Sequence, residues 1–194
     1  MIPIPQGLND AEIGIWEGCM KQAGQKIILA ADGMTKKQIL DIAGRLKDFI
    51  WGIKLNDALD EYGKAIVAEL TASGINVWAD VKLSDISKTN ENRAKVYAGA
   101  GAKIITIMAA VGLEALWNTR EAVAKIPSCE CASCECELAG VTVLTSLDPP
   151  GCETIYGGSP KAIVLKFATI LKAAGIRLMV CSGEELEYLN KYPA

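Results

Sequence analysis

Ala79-Asp80-Val81-Lys82-Leu83-Ser84-Asp85-Ile86 sets three charges of alternating sign where the apolar run Ile75-Asn76-Val77-Trp78 ends. A buried strand is apolar, so charges gathered at its C-terminal lip cost desolvation unless they neutralise one another or serve a ligand. That lip is where an α/β barrel keeps its chemistry. At ordinary residue usage a D-x-K-x-x-D string arises by chance in roughly 4% of chains of this size. Its position at a strand end therefore carries more weight than the pattern itself.

Outward from this stretch, strand-like and helix-like segments alternate with short connections, which argues for parallel βα units. After a helix expected over 10–23, residues 26–31 read as a first buried strand. Residues 35–47 read as its helix, with Ile39, Leu40, Ala43 and Leu46 at helical spacing. The same reading gives strands at 49–54, 75–80, 103–108, 138–145 and 176–181. The helices between them fall at 57–71, 90–100, 113–125 and 161–174. Ser182-Gly183-Glu184-Glu185 has the S-x-x-E form of a capping box that starts a last helix.

Six βα units make about three quarters of a (β/α)₈ barrel of ~250 residues. The expectation is an α/β fold, a TIM-type (β/α) barrel with about six βα units present and the last two missing. It would form a single domain over 1–194, with an N-terminal helical extension over 1–25 and a Cys-rich loop over 128–137. Alternation does not by itself separate a barrel from an open doubly wound sheet. The turn after the first strand, however, is Ala31-Asp32-Gly33-Met34-Thr35 rather than the G-x-G-x-x-G of a dinucleotide site.

The chain has 194 residues, 51% of them hydrophobic, and a formal net charge of -3. That charge supplies no field to attract nucleic acid or an anionic membrane. No apolar run reaches the ~18 residues of a membrane span. Met1-Ile2-Pro3-Ile4-Pro5 lacks the charged-then-apolar build of a signal peptide. The expectation is a cytoplasmic protein with reduced cysteines, and an odd total of seven argues further against a complete disulfide framework. Histidine is absent. Its absence removes the usual general base and the Ser-His-Asp triad, leaving Lys, Asp and Glu for proton transfer.

Three successive strands end in charge: Asp32 after the first, Lys54 after the second, Asp80 with Lys82 at the third. In a parallel barrel these ends lie side by side and would converge on one pocket. The same self-neutralising array also describes an ion-pair plug at the barrel mouth, and charge pattern alone leaves both readings open.

At these residues the sequence resembles the orotidine 5'-phosphate decarboxylase family. The likeness is carried by Leu29-Ala30-Ala31-Asp32, by Gly52-Ile53-Lys54, and above all by Ala79-Asp80-Val81-Lys82-Leu83-Ser84-Asp85-Ile86 with Thr89-Asn90 following. Ala98-Gly99-Ala100-Gly101-Ala102, Val141 to Leu147 and Leu178 to Ser182 extend it, so that it runs from about residue 26 to 192. The resemblance implies conversion of orotidine 5'-phosphate to UMP and carbon dioxide in pyrimidine biosynthesis, with no cofactor. Lys82 would protonate C6 of the pyrimidine, Asp80 would sit against the departing carboxylate, and Lys54 would link Asp80 to the ribose. Asp32 would bind the ribose, while Asp85 would reach into the partner's site, which makes a homodimer part of the mechanism. Ile86 and Thr89 would join the substrate-binding set, with Thr145 and Ser146 near the base. Ser87 departs from the small turn residue or proline usual after the Asp-Ile pair. The family's phosphate-gripping P-G-[IV] and G-R motifs have no counterpart up to Ala194.

Two other readings stand beside this one. The D-x-K-x-x-D core is shared with sugar-phosphate decarboxylases and aldolases of the same superfamily, in which Asp80 would hold a divalent metal; the Thr89-Asn90 pair disfavours them. The other is an inactive remnant with a structural or metal-binding role. Cys129, Cys131, Cys134 and Cys136 lie in the C-x-C-x-x-C-x-C spacing of Ser128 to Glu137. Four thiolates there suit a structural metal, although zinc sites favour C-x₂₋₄-C pairs well separated in sequence. A reducible disulfide pair and an inert or redox-sensitive loop are the alternatives.

Overall fold

The computed structural model describes residues 11, 26–126 and 136–191. Apart from Ala11, which is helical, the helix expected over 10–23 lies outside the described residues, as do Cys129, Cys131 and Cys134. Six strands, β1 (Ile28–Ala30), β2 (Gly52–Leu55), β3 (Asn76–Leu83), β4 (Ile104–Met108), β5 (Glu137–Val141) and β6 (Leu178–Val180), alternate with helices. The helices are α1 (Lys36–Leu46), α2 (Asp57–Ala72), α3 (Ser87–Gly99), α4 (Leu113–Ala124), α5 (Pro149–Tyr156), α6 (Pro160–Ala173) and α7 (Leu186–Lys191). Sheet order follows chain order from β1 to β6. A doubly wound sheet reverses its order at a switch point. The unreversed order is that of an α/β, TIM-type (β/α) fold.

The chain divides into two compact units, Met1–Asp80 with Ala100–Ala102, and Val81–Gly99 with Lys103–Ala194; β3 crosses the boundary after Asp80. In the first unit β1, β2 and the start of β3 pair in parallel, with Ala30 opposite Lys54 and Lys54 opposite Trp78. A Cβ at Gly52 would run into the carbonyl of Asn76, so glycine is what lets β2 lie in register against β3. The core of this unit is Ile39, Ile53, Leu55, Ile66, Val67, Leu70 and Val77, all fully buried. α1 starts at a capping box in which the Thr35 hydroxyl accepts from the Gln38 amide and the Gln38 side chain accepts from the Thr35 amide. Its Ile39 and Ala43, one turn apart, supply the buried stripe. α2 is kinked at Gly63, whose φ of 58° and ψ of -145° are open to glycine.

In the second unit β4, β5 and β6 pair in parallel, Thr106 standing opposite Ala139 and Val141 opposite Val180. α6 packs its Leu171 onto β5 at Gly140, where any Cβ would collide with the leucine side chain. Leu83, Ile105, Ile107, Leu116, Val164 and Leu171 form this core.

Several segment bounds differ from the sequence expectation, and four of these differences alter the reading. β3 does not end at Asp80 but runs on to Leu83, so Lys82 belongs to the strand. α3 starts at Ser87, ahead of the expected residue 90. β5 stops at Val141 instead of residue 145, because β6 ends at Val180. The Thr142 amide and hydroxyl both turn to the Val180 carbonyl, at 3.3 and 3.0 Å, and among the described residues no partner strand lies beyond it. The stretch after Asp148, to which the sequence reading assigns no element, contains α5, with Asp148 accepting from the Gly151 amide as N-cap, proline at the first helical position and left-handed Gly157 closing it.

Candidate active site

The first unit assembles a three-residue charge array from three strand ends. Lys54 stands level with Ala30 on β1 and Trp78 on β3. Asp32 follows Ala30 by two residues and Asp80 follows Trp78 by two. The lysine therefore starts one layer below both carboxylates and reaches up between them. Its Nζ lies 3.1 and 3.2 Å from the two oxygens of Asp32 and 3.2 Å from Oδ2 of Asp80. Asp80 is the buried member, its side chain 8% exposed against 20% for Lys54 and 54% for Asp32. Burial alone would lower the pKa of Lys54. Hydrogen bonds and charge from Asp32 and Asp80 outweigh it and raise the pKa above its ordinary 10.5, so the group is an ammonium ion across the physiological range.

Two neighbours on one short segment hold this array. Asn56 occupies the N-cap position of α2, yet its side chain makes no cap hydrogen bond. Its Nδ2 donates instead to the Asp80 carbonyl at 2.7 Å. Asp57, the first residue of α2, accepts through Oδ2 from the Gly33 amide at 2.8 Å, pinning the turn that carries Asp32. Asn and Asp are residues that ordinarily cap helices; here they fix two carboxylates on either side of Lys54.

The second unit holds the remaining residues of the charged motif. Lys82 takes a φ of 42°, and its amide donates to Thr106 Oγ1 at 2.9 Å. Asp85 is exposed and is fixed through its backbone by buried Asn90. Its amide donates to Asn90 Oδ1 at 3.2 Å, and Asn90 Nδ2 donates to its carbonyl at 2.7 Å. The Ile86 amide donates to Asp85 Oδ1 at 2.7 Å, and Ile86 is 72% exposed. Thr89 is half-buried on α3, while Thr145 and Ser146 are exposed in the turn after β5. Cys136 is half-buried, and its thiol is pushed up to about 12 chiefly by burial, with Glu137 adding to the shift and Lys103 opposing it.

The structure thus brings Asp32, Lys54 and Asp80 together as the sequence predicts. It adds Asn56, Asp57 and Thr106, to which sequence reading gave no role. Their signal was faint: a capping-type Asn-Asp pair at a helix start, and one hydroxyl in the otherwise apolar Ile104-Ile105-Thr106-Ile107-Met108.

Known proteins are similar to this chain in sequence and in fold. The chain is 31% identical over 168 residues to orotidine 5'-phosphate decarboxylase of Nitrosococcus oceani, covering 86% of this chain and 70% of that protein. It is 31% identical over 175 residues to orotidine 5'-phosphate decarboxylase of Coxiella burnetii, covering 89% and 72%. Among solved structures, orotidine 5'-phosphate decarboxylase from Lactobacillus acidophilus is similar with a TM-score of 0.73 and 26% identity, covering 85% of this chain and 75% of that one. An uncharacterized conserved protein from Geobacillus kaustophilus is similar with a TM-score of 0.76 and 25% identity, covering 84% and 77%. Residues 25–192 match the Orotidine 5'-phosphate decarboxylase / HUMPS family, a span that takes in every strand from β1 to β6, and the chain belongs to that family.

Proposed function

We propose that the protein decarboxylates orotidine 5'-phosphate to UMP, a step of pyrimidine biosynthesis, with Lys82 as the proton donor. The observation that carries this reading is the Asp32-Lys54-Asp80 array, in which one ammonium is shared by two carboxylates at the strand ends. Breaking the bond from C6 to the carboxylate leaves the electron pair on C6 as carbon dioxide departs. A proton moves from the Lys82 ammonium to that carbon, and the neutral amine recovers a proton from water. No cofactor takes up the electron pair in this scheme. The work falls to fixed charges aimed at the carbanion as it forms, where water is excluded and Coulomb terms are strong.

Asp80 would face the substrate carboxylate, its own charge pressing on the group that leaves. Lys54, held between Asp80 and Asp32, would link Asp80 to the ribose by offering it N–H donors. Lys82 follows Asp80 by two residues, so their Cα atoms are at most about 7 Å apart along the chain. Asp32 would accept from a ribose hydroxyl. Ile86, Thr89, Thr145 and Ser146 would line the remainder of the substrate site. Asp85 would serve the site of a second copy, making the working form a homodimer.

The sugar-phosphate reading needs Asp80 free to hold a divalent cation. An ammonium 3.2 Å from Asp80 Oδ2 competes for the lone pairs such an ion would use, which supports the decarboxylase. The test is loss of orotidine 5'-phosphate absorbance with purified protein. Turnover by the wild type that disappears in Lys82→Ala is expected. A wild type inert towards orotidine 5'-phosphate overturns the proposal.

A further inference from the structure

β3 leaves its regular extended path at Lys82, the one non-glycine residue with positive φ among those described. A left-handed backbone is disfavoured for any residue with a Cβ and persists only where its surroundings impose it. One contact at this point is on the neighbouring strand of the same unit: the Lys82 amide donates to Thr106 Oγ1 at 2.9 Å. Thr106 is fully buried in the middle of β4, in register with Ala139 of β5. A hydroxyl in such an apolar strand costs desolvation unless it is hydrogen-bonded. Its branched side chain has few χ1 choices, so the oxygen stands at a fixed height above the sheet.

We propose that Thr106 is a positioning residue for the proton donor. Its hydroxyl captures the Lys82 amide, holds the backbone in the left-handed conformation, and thereby sets the direction in which the Cα–Cβ bond launches the ammonium group. A regular strand would alternate its side chains and point Lys82 along the course set by Asp80. The turned backbone gives the donor a course of its own. The catalytic consequence rests on the decarboxylase reading; the conformational one does not.

The test uses protein labelled with ¹³C,¹⁵N-lysine, the Lys82 resonances being assigned by their loss in Lys82→Arg. Thr106→Val keeps the shape and removes the acceptor. Its Lys82 Cα and Cβ shifts are expected to move from left-handed to extended values. kcat for orotidine 5'-phosphate is expected to fall about 10- to 100-fold, with KM within about twofold. Thr106→Ser, which restores the hydroxyl, should recover both. If the valine variant does not fold, Thr106→Cys, a weak acceptor of similar size, is read in the same way. Lys82 shifts that stay left-handed without the hydroxyl overturn the proposal, whatever the activity. Shifts that move in a protein inert towards orotidine 5'-phosphate uphold the Thr106 assignment and remove the reaction instead.

Discussion

Lys54 carries one positive charge between two carboxylates, and only one of the three groups, Asp32, is well exposed. Replacing it with methionine leaves Asp80 without that ammonium partner at a nearly buried position. The cost is set between the exposed and buried limits for ion pairs, about 2 kcal/mol, read as a lowered urea midpoint. Activity should suffer more, by about 10²- to 10³-fold in kcat, because a preorganised charge is lost at the proposed reacting centre. The pH dependence has a definite sign. The folded-state pKa of Lys54 lies above 10.5. Its contribution to stability is therefore complete below pH 10.5 and is lost as pH rises through the higher folded value. Urea midpoints at about pH 9 and about pH 11.5 should diverge in the wild type and draw together in Lys54→Met.

Elements bring these residues together, and they explain what could be read from sequence and what could not. The array of Asp32, Lys54 and Asp80 was legible because strand ends are where a parallel fold tolerates charge, and strand positions follow from apolar runs bounded by turn residues. The contacts that hold the array, and the one that holds Lys82, were not legible. Asn56, Asp57 and Lys82 each find their partner 24 residues away, about one βα unit, and local spacing carries no trace of such a bond. Thr142-Val143-Leu144-Thr145 has the composition of a strand, but a strand also needs a neighbour, and β6 ends at Val180. The start of α5 is written in Asp148-Pro149 and its end in Gly157, a capping pattern that the proline pair masks because such pairs also mark loops.

Asn56→Ala tests the positioning role of the α2 start. Since Asn56 does not cap its own helix, the loss should be that of one hydrogen bond to the Asp80 carbonyl, about 1 kcal/mol by urea unfolding. kcat should drop further than that stability change implies. In the second unit, Gly140→Ala forces a methyl group against Leu171 and should cost about 1–3 kcal/mol by the same measurement.

At the scale of the whole molecule the chain is an α/β fold whose six strands lie in chain order, matched to relatives of which it covers 70–72%. No helix among the described residues is long and apolar enough to cross a membrane. The proposed homodimer gives a test that no monomer can pass. If Asp85 serves the partner's site, Lys82→Ala and Asp85→Ala are each inactive as pure proteins. Mixed and allowed to exchange subunits, they should recover roughly a quarter of wild-type activity, since half the dimers are mixed and each of those has one intact site. A mixture no more active than its components contradicts the shared site. The reaction itself is tested most directly by following orotidine 5'-phosphate in D₂O by proton NMR. The account predicts UMP bearing deuterium at C6 from the wild type and none from Lys82→Ala; UMP formed equally by both proteins would contradict Lys82 as the proton donor.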